Sequence, residues 1–264
     1  MSANRPDITV QDQGDLATLI LDNPARNNAI SVGMWDRLLQ LADDLAARDG
    51  LRLIIFRGAG ERAFSAGADI SEFDQQRGDA EAVRAYDRLV ESACRRVEAL
   101  PVPTLAMIHG YCIGAGLSLA GACDLRLCDR EASFALPAAR LGLGYDFSGI
   151  ERLVRLVGDA MAREILFTGA RMPAARAQAM GLVHEVCEPA DLAGRVEALA
   201  ERIRGNAPLT LRAFKACLGE IRRPPGERDV ARCEALIEQC NASDDYREGR
   251  KAFAERRDPE FRGR

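Results

Sequence analysis

Two glycine-bearing loops constrain this chain most. They are Phe64-Ser65-Ala66-Gly67-Ala68-Asp69-Ile70 and His109-Gly110-Tyr111-Cys112-Ile113-Gly114-Ala115-Gly116. Each follows a short apolar run of strand character: Leu51 to Phe56 (LRLIIF) before the first, Thr104 to Ile108 (TLAMI) before the second. The second loop leads into Leu117-Ser118-Leu119-Ala120, which has helical character. A small-residue turn between a strand and a helix start leaves backbone N–H groups free. Two such turns aimed at one oxygen would form an oxyanion hole, which stabilises the charge an acyl carbonyl gains during reaction. Taken singly, either loop reads equally well as a tight turn with no chemistry.

The rest of the chain narrows the setting. Its 264 residues, 47% hydrophobic and 29% charged, suffice for a large core in one domain, or one domain with a small appendage. The net charge of -4 comes with no basic block, which argues against a nucleic-acid partner. The first fifteen residues are polar, without an apolar signal segment. No run approaches the ~18 apolar residues of a membrane span. These features predict a soluble, cytoplasmic protein with no membrane partner.

Eight cysteines are scattered without a Cys-x-x-Cys pair, and His109 and His184 are the only histidines. That pattern predicts no metal site. Most of the thiols read as small buried hydrophobes in a reducing compartment. Cys112 beside His109 is the one local nucleophile–base candidate, but a base adjacent in sequence is rarely placed to serve its neighbour.

Strand and helix signals alternate through the first 150 residues. Leu16 to Leu21 reads as a strand, broken by Asn23-Pro24-Ala25-Arg26-Asn27-Asn28. Ser31 reads as the N-cap of an amphipathic helix carrying Trp35, Leu38, Leu39, Ala42 and Leu45, ended by Gly50. Asp79 to Leu100 is a second helix, stopped by Pro101-Val102-Pro103; Asp124 to Cys128 and Ser133 to Leu136 are further strands. This is an α/β pattern. Beyond residue 150 helices dominate: 149–157, 160–167, 174–180, 192–204, 209–221, 230–241 and 243–256. Leu182 to Val186 is the one strand there, Pro224-Pro225-Gly226 breaks two helices, and no repeat is evident.

Several further segments fall in one order: Asn23 to Ala29, Ala63 to Ile70, the Gly114-Ala115-Gly116 turn, Cys123-Asp124, Ala179 to Val183, Asn206-Ala207-Pro208 and Glu248 to Phe253. On these the chain resembles the crotonase superfamily, the enoyl-CoA hydratase/isomerase family, over nearly its whole length. The resemblance implies a crotonase-like spiral of β-β-α units, here residues 1–190. It also implies a helical C-terminal region, residues 191–264, that supports trimerisation and covers the pocket. The ligand would be an acyl-CoA thioester, with coenzyme A as part of the substrate and no separate cofactor. The assembly would be a homotrimer or a dimer of trimers. Backbone N–H groups of Ala68 and Ala115 would hold the thioester oxygen and stabilise its enolate. Ala66, Gly67, Asp69 and Ile70 would line the adenine and pantetheine path, with Gly114 at the turn; Asp69 also reads as a structural residue of its loop. Arg26 would meet the CoA phosphates, and Arg256 stands where relatives carry a lysine near the nucleotide. For both arginines a solvated surface charge is the competing reading.

The chain departs from that family in its acid–base residues. Hydration of an enoyl-CoA uses two glutamates that grip one water. The corresponding positions here are Ser118 and Ala138. Alanine moves no proton, and serine is a poor base without a partner. Isomerase, decarboxylase or other enolate chemistry is therefore expected in place of ordinary hydration. A non-catalytic acyl-CoA-binding homologue is the alternative. Tyr145 and Asp146 follow in the segment where some relatives place a catalytic aspartate or a tyrosine that orients the leaving group. Asp146 would shuttle a proton, or else cap the helix near Gly149. Tyr145 would donate to a carboxylate or to developing charge. Glu131 and Glu151 read as surface charges, His109 as a satisfied turn residue and His184 as packing or surface. Acyl-tail length would depend on residues 74–84.

Overall fold

A computed structural model describes residues 6–72 and 80–264. Strands β1 (Asp7–Asp12), β2 (Leu16–Asp22), β3 (Leu53–Gly58), β5 (Thr104–Ile108), β7 (Leu125–Asp129) and β10 (Glu185–Cys187) form one sheet in the order β1-β2-β3-β5-β7-β10. The β1–β2 pair is antiparallel and the remaining pairs are parallel. A parallel sheet is covered on both faces, so its strands are apolar throughout. Alternation decides which core each residue joins. Ile54, Phe56, Ala106 and Ile108 face the larger core with Trp35 and Leu38 of α1 (Val32–Ala46) and Cys94 and Val97 of α2 (Ala80–Glu98). Leu53, Ile55 and Leu105 face Leu192, Val196 and Ala200 of α6 (Leu192–Arg204).

A second sheet, β4-β6-β8-β9, is built from β4 (Ala63–Ser65), β6 (Tyr111–Ile113), β8 (Ser133–Ala135) and β9 (Met172–Pro173). It changes the reading of the two glycine loops. They are not plain turns: the first opens inside the three-residue β4, the second contains the three-residue β6, and β4 and β6 pair in parallel. The chain thus repeats one unit: β3-β4-α2, then β5-β6 and α3 (Ala115–Ala122), then β7-β8 and α4 (Phe147–Thr168). This is the crotonase-like spiral, although no repeat was evident in the sequence.

Other differences are local. β1 was not anticipated; its residues alternate without a buried face, with Ile8 the one fully buried position. The strand expected at 182–186 begins at Glu185, because Leu182 and Val183 are core residues beside β7 rather than sheet. The helices expected at 149–157 and 160–167 join as α4, kinked at Gly158, whose φ is 76°. α1 ends at Ala46, ahead of Gly50. Its start is as expected: Ser31 Oγ accepts from Met34 N at 3.2 Å. Helices α5 (Ala174–Ala179), α6, α7 (Pro208–Ile221), α8 (Val230–Ala242) and α9 (Asp244–Glu255) follow the expected spans within a residue or two. Of the stretch tied to tail length, 74–79 lies outside the described residues, as does Asp79 at the expected start of α2.

Candidate active site

The family-like motifs first serve as structural clamps. Asn28, in the left-handed region at φ 57°, donates from Nδ2 to the carbonyls of Ala59 (3.0 Å) and Ala63 (2.8 Å). That fixes the segment before α1 against β4. Asp124 Oδ2 accepts from Thr104 N (2.7 Å), Thr104 Oγ1 (2.9 Å) and Lys215 Nζ (2.7 Å), pinning β5 to α7. Buried Arg126 is satisfied by the carbonyls of Leu182, Ala120 and Cys123. Asn28 thus braces the carboxyl end of β3, while Asp124 and Arg126 brace the amino ends of β5 and β7.

Gly67 and Gly114 then set the donors. Gly67 has φ 107° and Gly114 has φ 52°, conformations that side chains with a Cβ rarely adopt. Each turns the peptide that follows it, at Ala68 and Ala115. The two turns touch: a Cβ at Gly67 would stand 3.1 Å from the Ile113 carbonyl and 3.8 Å from Ala115 N. Ala68 lies beside Ile30, whose N–H donates to Gly67 O while its carbonyl accepts from Asp69 N. That pattern leaves the Ala68 N–H out of the ladder. Ala115 is the first residue of α3, so its N–H has no intrahelical acceptor. Among the described residues neither N–H has a hydrogen-bond acceptor. Two adjacent free donors, one of them at a helix N-terminus, suit an oxygen that gains negative charge.

Both donors line a cavity of about 170 Å³, together with Ala66, Gly67, Gly114, Ser118 and Ala138. Leu136, Leu141 and Leu143 give it an apolar wall. Tyr145 and Asp146 also line it, so the structure brings together most of the expected site. The Tyr145 hydroxyl lies 2.6 Å from Ser118 Oγ, which also donates to Gly114 O at 3.2 Å. Burial pushes the Tyr145 phenol up to about 12, partly offset by Ser118. Asp146 caps α4, with Oδ2 accepting from Gly149 N at 3.2 Å.

The nucleotide-path residues fare differently. Asp69 is buried and committed: its Oδ1 accepts from Arg26 Nη1 (2.7 Å), Ser71 N (3.0 Å) and Ser71 Oγ (2.7 Å). Burial works against its charge, but the Ser71 bonds and Arg26 outweigh it and hold the carboxyl below its ordinary value. Its carboxylate therefore organises the loop and carries the Arg26 guanidinium, which remains half exposed. Ile70 opens the short turn Ile70–Glu72. Arg256 is the left-handed C-cap of α9, exposed and outside the cavity lining.

The cysteine–histidine pairing does not form. His109 Nδ1 meets Asp129 Oδ2 at 2.8 Å, and burial raises the Cys112 thiol far above its usual range. His184 Nδ1 accepts from Arg126 N. Glu131 and Glu151 are exposed.

Three charged lining residues escaped the sequence reading: Asp87 and Glu91 on α2, and Arg152 on α4. Glu91 Oε1 accepts from Arg95 Nε (2.6 Å) and Oε2 from Arg152 Nη2 (3.1 Å). Arg152 Nε also donates to Glu98 Oε1 at 3.0 Å. The Glu91–Arg95 pair was readable as an i,i+4 spacing. Nothing in the sequence joins Glu91 to Arg152.

A ββα spiral with paired backbone donors over an apolar cavity defines a protein of the crotonase class. The enoyl-CoA hydratase/isomerase family model matches residues 11–264, and the chain belongs to that family. It is 34% identical to a crotonyl-CoA hydratase from Syntrophomonas wolfei, over 96% of this chain and 97% of that protein. A crystal structure of an enoyl-CoA hydratase/carnithine racemase from Magnetospirillum magneticum superposes with a TM-score of 0.91, at 35% identity over 97% of this chain and 96% of the other. Another, an enoyl-CoA hydratase from Bacillus anthracis, gives 0.90 at 30% identity, over 97% of this chain and 99% of the other.

Proposed function

We propose that this protein binds an acyl-CoA thioester and moves a proton along its acyl chain through an enolate, as an enoyl-CoA isomerase. The observation that carries this reading is the pair of N–H groups without acceptors at Ala68 and Ala115, two residues that line one cavity. A thioester carbonyl between them would gain two hydrogen bonds that strengthen as its oxygen becomes an oxyanion. The C–H bond next to the carbonyl, or conjugated with it, then breaks. Its electron pair enters the π system and its proton passes to a base. Return of the proton at a different carbon completes the isomerisation.

Ser118 and Ala138 leave no pair of glutamates to split a water, which speaks against ordinary hydration. Decarboxylation fits the cavity less well than isomerisation. Asp87, Glu91 and Asp146 line it against a single arginine, Arg152, whose charge already faces Glu91 and Glu98. A second carboxylate on the acyl group would be repelled there. Tyr145 and Asp146 supply orientation or proton transfer. The Ser118 hydroxyl has one proton; when it turns from Gly114 O to the phenol oxygen, the Tyr145 O–H is available to the substrate. Arg26 takes the CoA phosphates, Ala66 to Ile70 line the nucleotide and pantetheine, and Arg256 adds charge near the nucleotide.

The assembly in this reading is a homotrimer or dimer of trimers in the cytoplasm. Phe214, Leu218, Ile221, Val230, Ile237 and Phe253 of α7, α8 and α9 are exposed, a composition suited to self-association. No helix among the described residues is long and apolar enough to cross a membrane. Sedimentation at micromolar concentration tests the assembly.

The function is tested by incubating the protein in deuterated water with 3-enoyl, 2-enoyl, malonyl and methylmalonyl thioesters of CoA. Isomerised, deuterated 2-enoyl product is expected. Hydration of crotonyl-CoA at ordinary hydratase rates would overturn the reading. Binding of every thioester with turnover of none would favour a second reading, a non-catalytic acyl-CoA-binding homologue, which the loss of both glutamates also supports.

A further inference from the structure

The isomerisation needs a base, and the side chains nearest the family's usual positions are poor ones. Ser118 is a hydroxyl bonded to Tyr145, Ala138 has no proton chemistry, and one Asp146 oxygen is committed to capping α4. Another wall of the cavity carries a better-held carboxylate. Glu91 projects from the middle of α2, a helix of 19 residues, with its side chain 15% exposed. Each of its oxygens accepts from a different guanidinium, Arg95 Nε and Arg152 Nη2. Both arginines are themselves anchored. Arg95 Nη2 donates to Ser148 Oγ at 3.0 Å, and Arg152 belongs to α4 and is tied to Glu98. The carboxylate is therefore fixed relative to the start of α4, the segment that carries Tyr145 and Asp146.

We propose that Glu91 is the group that takes and returns the proton in this cavity, an assignment that rests on the isomerase reading above. A carboxylate accepts up to about four hydrogen bonds. Two arginine contacts therefore leave lone pairs on Glu91 for a substrate C–H. In the first step the C–H bond breaks, the proton goes to a Glu91 oxygen, and the electron pair forms the dienolate whose oxygen faces Ala68 and Ala115 N–H. In the second, the new O–H bond of Glu91 breaks and the proton adds to the far carbon of the dienolate. No oxidant, water or third reactant is consumed. One carboxylate suffices because it takes one proton and returns one, and exchange of that proton with solvent between the two steps is what places deuterium in the product. The side chain comes from α2, not from α3 or the segment after β8, where Ser118 and Ala138 stand.

The test compares wild type, Glu91→Gln and Glu91→Asp as full-length protein. The readouts are deuterium incorporation into 3-hexenoyl-CoA and the Kd of butyryl-CoA, a thioester with no double bond to move. Positioned acid–base groups contribute about 10²–10⁴-fold. Incorporation by Glu91→Gln should therefore fall at least about a hundredfold, with butyryl-CoA affinity unchanged. Glu91→Asp withdraws the carboxylate by one methylene and should lose roughly tenfold or more, again with affinity unchanged. It carries the test alone if the glutamine variant does not fold. Incorporation by either variant equal to wild type would overturn the assignment, as would parallel loss of affinity and incorporation. Butyryl-CoA binding by the wild type with no incorporation would overturn the isomerase reading itself.

Discussion

The Tyr145 hydroxyl lies 2.6 Å from Ser118 Oγ, joining the segment before α4 to the first turn of α3. In the proposed reading the serine takes the position of a hydratase's first glutamate, and a hydroxyl pair stands there in place of a carboxylate. Burial raises the phenol to about 12, which keeps its proton in place across the neutral and mildly alkaline range. Because the folded value lies above the ordinary value near 10, its contribution to stability is full below about pH 10. It is lost as pH rises through about 12. Difference absorbance of wild type against Tyr145→Phe should show that phenolate appearing near pH 12. A phenolate signal for this residue at pH 10 would contradict the buried geometry. The same variant should lower isomerisation by roughly tenfold or more if the phenol donates in the reaction.

The proposed oxyanion donor at Ala115 can be removed without disturbing the fold. It is the first residue of α3, where proline's missing N–H costs the helix nothing and its fixed φ suits the helix start. Gly114 before it has no Cβ to clash with the ring. Ala115→Pro should reduce kcat by about 10²–10³-fold, while the circular dichroism spectrum stays that of the wild type. Unchanged kcat would remove Ala115 from the oxyanion hole.

The contrast between these two sites marks what a sequence of this kind displays. Gly67 and Gly114 are visible because a positive φ before each donor demands glycine, and that demand is local. The long-sheet strands are visible because LATLIL, LRLIIF and TLAMI are buried on both faces. β4 and β6 are three residues each, too short to show a period of two, so the spiral's second sheet and its repeat stay hidden. Tyr145 and Asp146 were found by position in a family pattern, but the bond to Ser118, 27 residues away, was not. Glu91 was missed because its partner Arg152 lies 61 residues on, in another helix. The structural reading of Asp69 was legible in its loop, but its partners Arg26, 43 residues away, and Ser71 were not.

Asp69 gives a pH prediction with a definite sign. Its folded pKa is depressed, because the Ser71 bonds and Arg26 outweigh burial. Its contribution to stability is therefore present above the ordinary aspartate value near 3.9. It is lost as pH falls through the lower folded value. Urea unfolding of Asp69→Asn between about pH 5 and pH 2 should show a shallower acid decline than the wild type. An identical acid limb would mean that the loop does not hold this carboxylate in its charged form.

Among the cysteines, Cys94, Cys112, Cys123 and Cys128 are buried, and burial raises every one of these thiols. A thiol is reactive as its thiolate, so these four should resist a disulfide-exchange reagent at pH 8 until the protein unfolds. Cys112→Ser should retain full activity, since His109 is bonded to Asp129 and serves no nucleophile. Loss of activity in that variant, with the fold intact, would restore the cysteine to the site.

Arg152 is the structural keystone of the acidic wall, and its removal should be costly. Its side chain is 5% exposed and pairs with Glu91 at 3.1 Å and Glu98 at 3.0 Å. Burial disfavours its charge, and the neighbouring Cys94 sulfur, Glu98 and Glu91 more than reverse that, holding the proton more tightly than usual. Methionine fills a similar volume without charge. Arg152→Met would leave two largely buried carboxylates without their shared partner, which typically costs about 3–5 kcal/mol. Urea unfolding at pH 7 measures the loss. Arg155, 3.3 Å from Glu98, limits the damage on that side. Glu98→Gln added to Arg152→Met should recover part of the loss, because one stranded charge is then neutral. The pH dependence supplies an independent check. Carboxylates deprived of a cation in a buried site have raised folded pKa values. The deficit of Arg152→Met should therefore shrink as pH falls from about 7 toward 4 and the carboxylates bind protons. A deficit that stays constant across that range would assign the loss to packing of the Arg152 stem beside Gly121 rather than to the broken ion pairs.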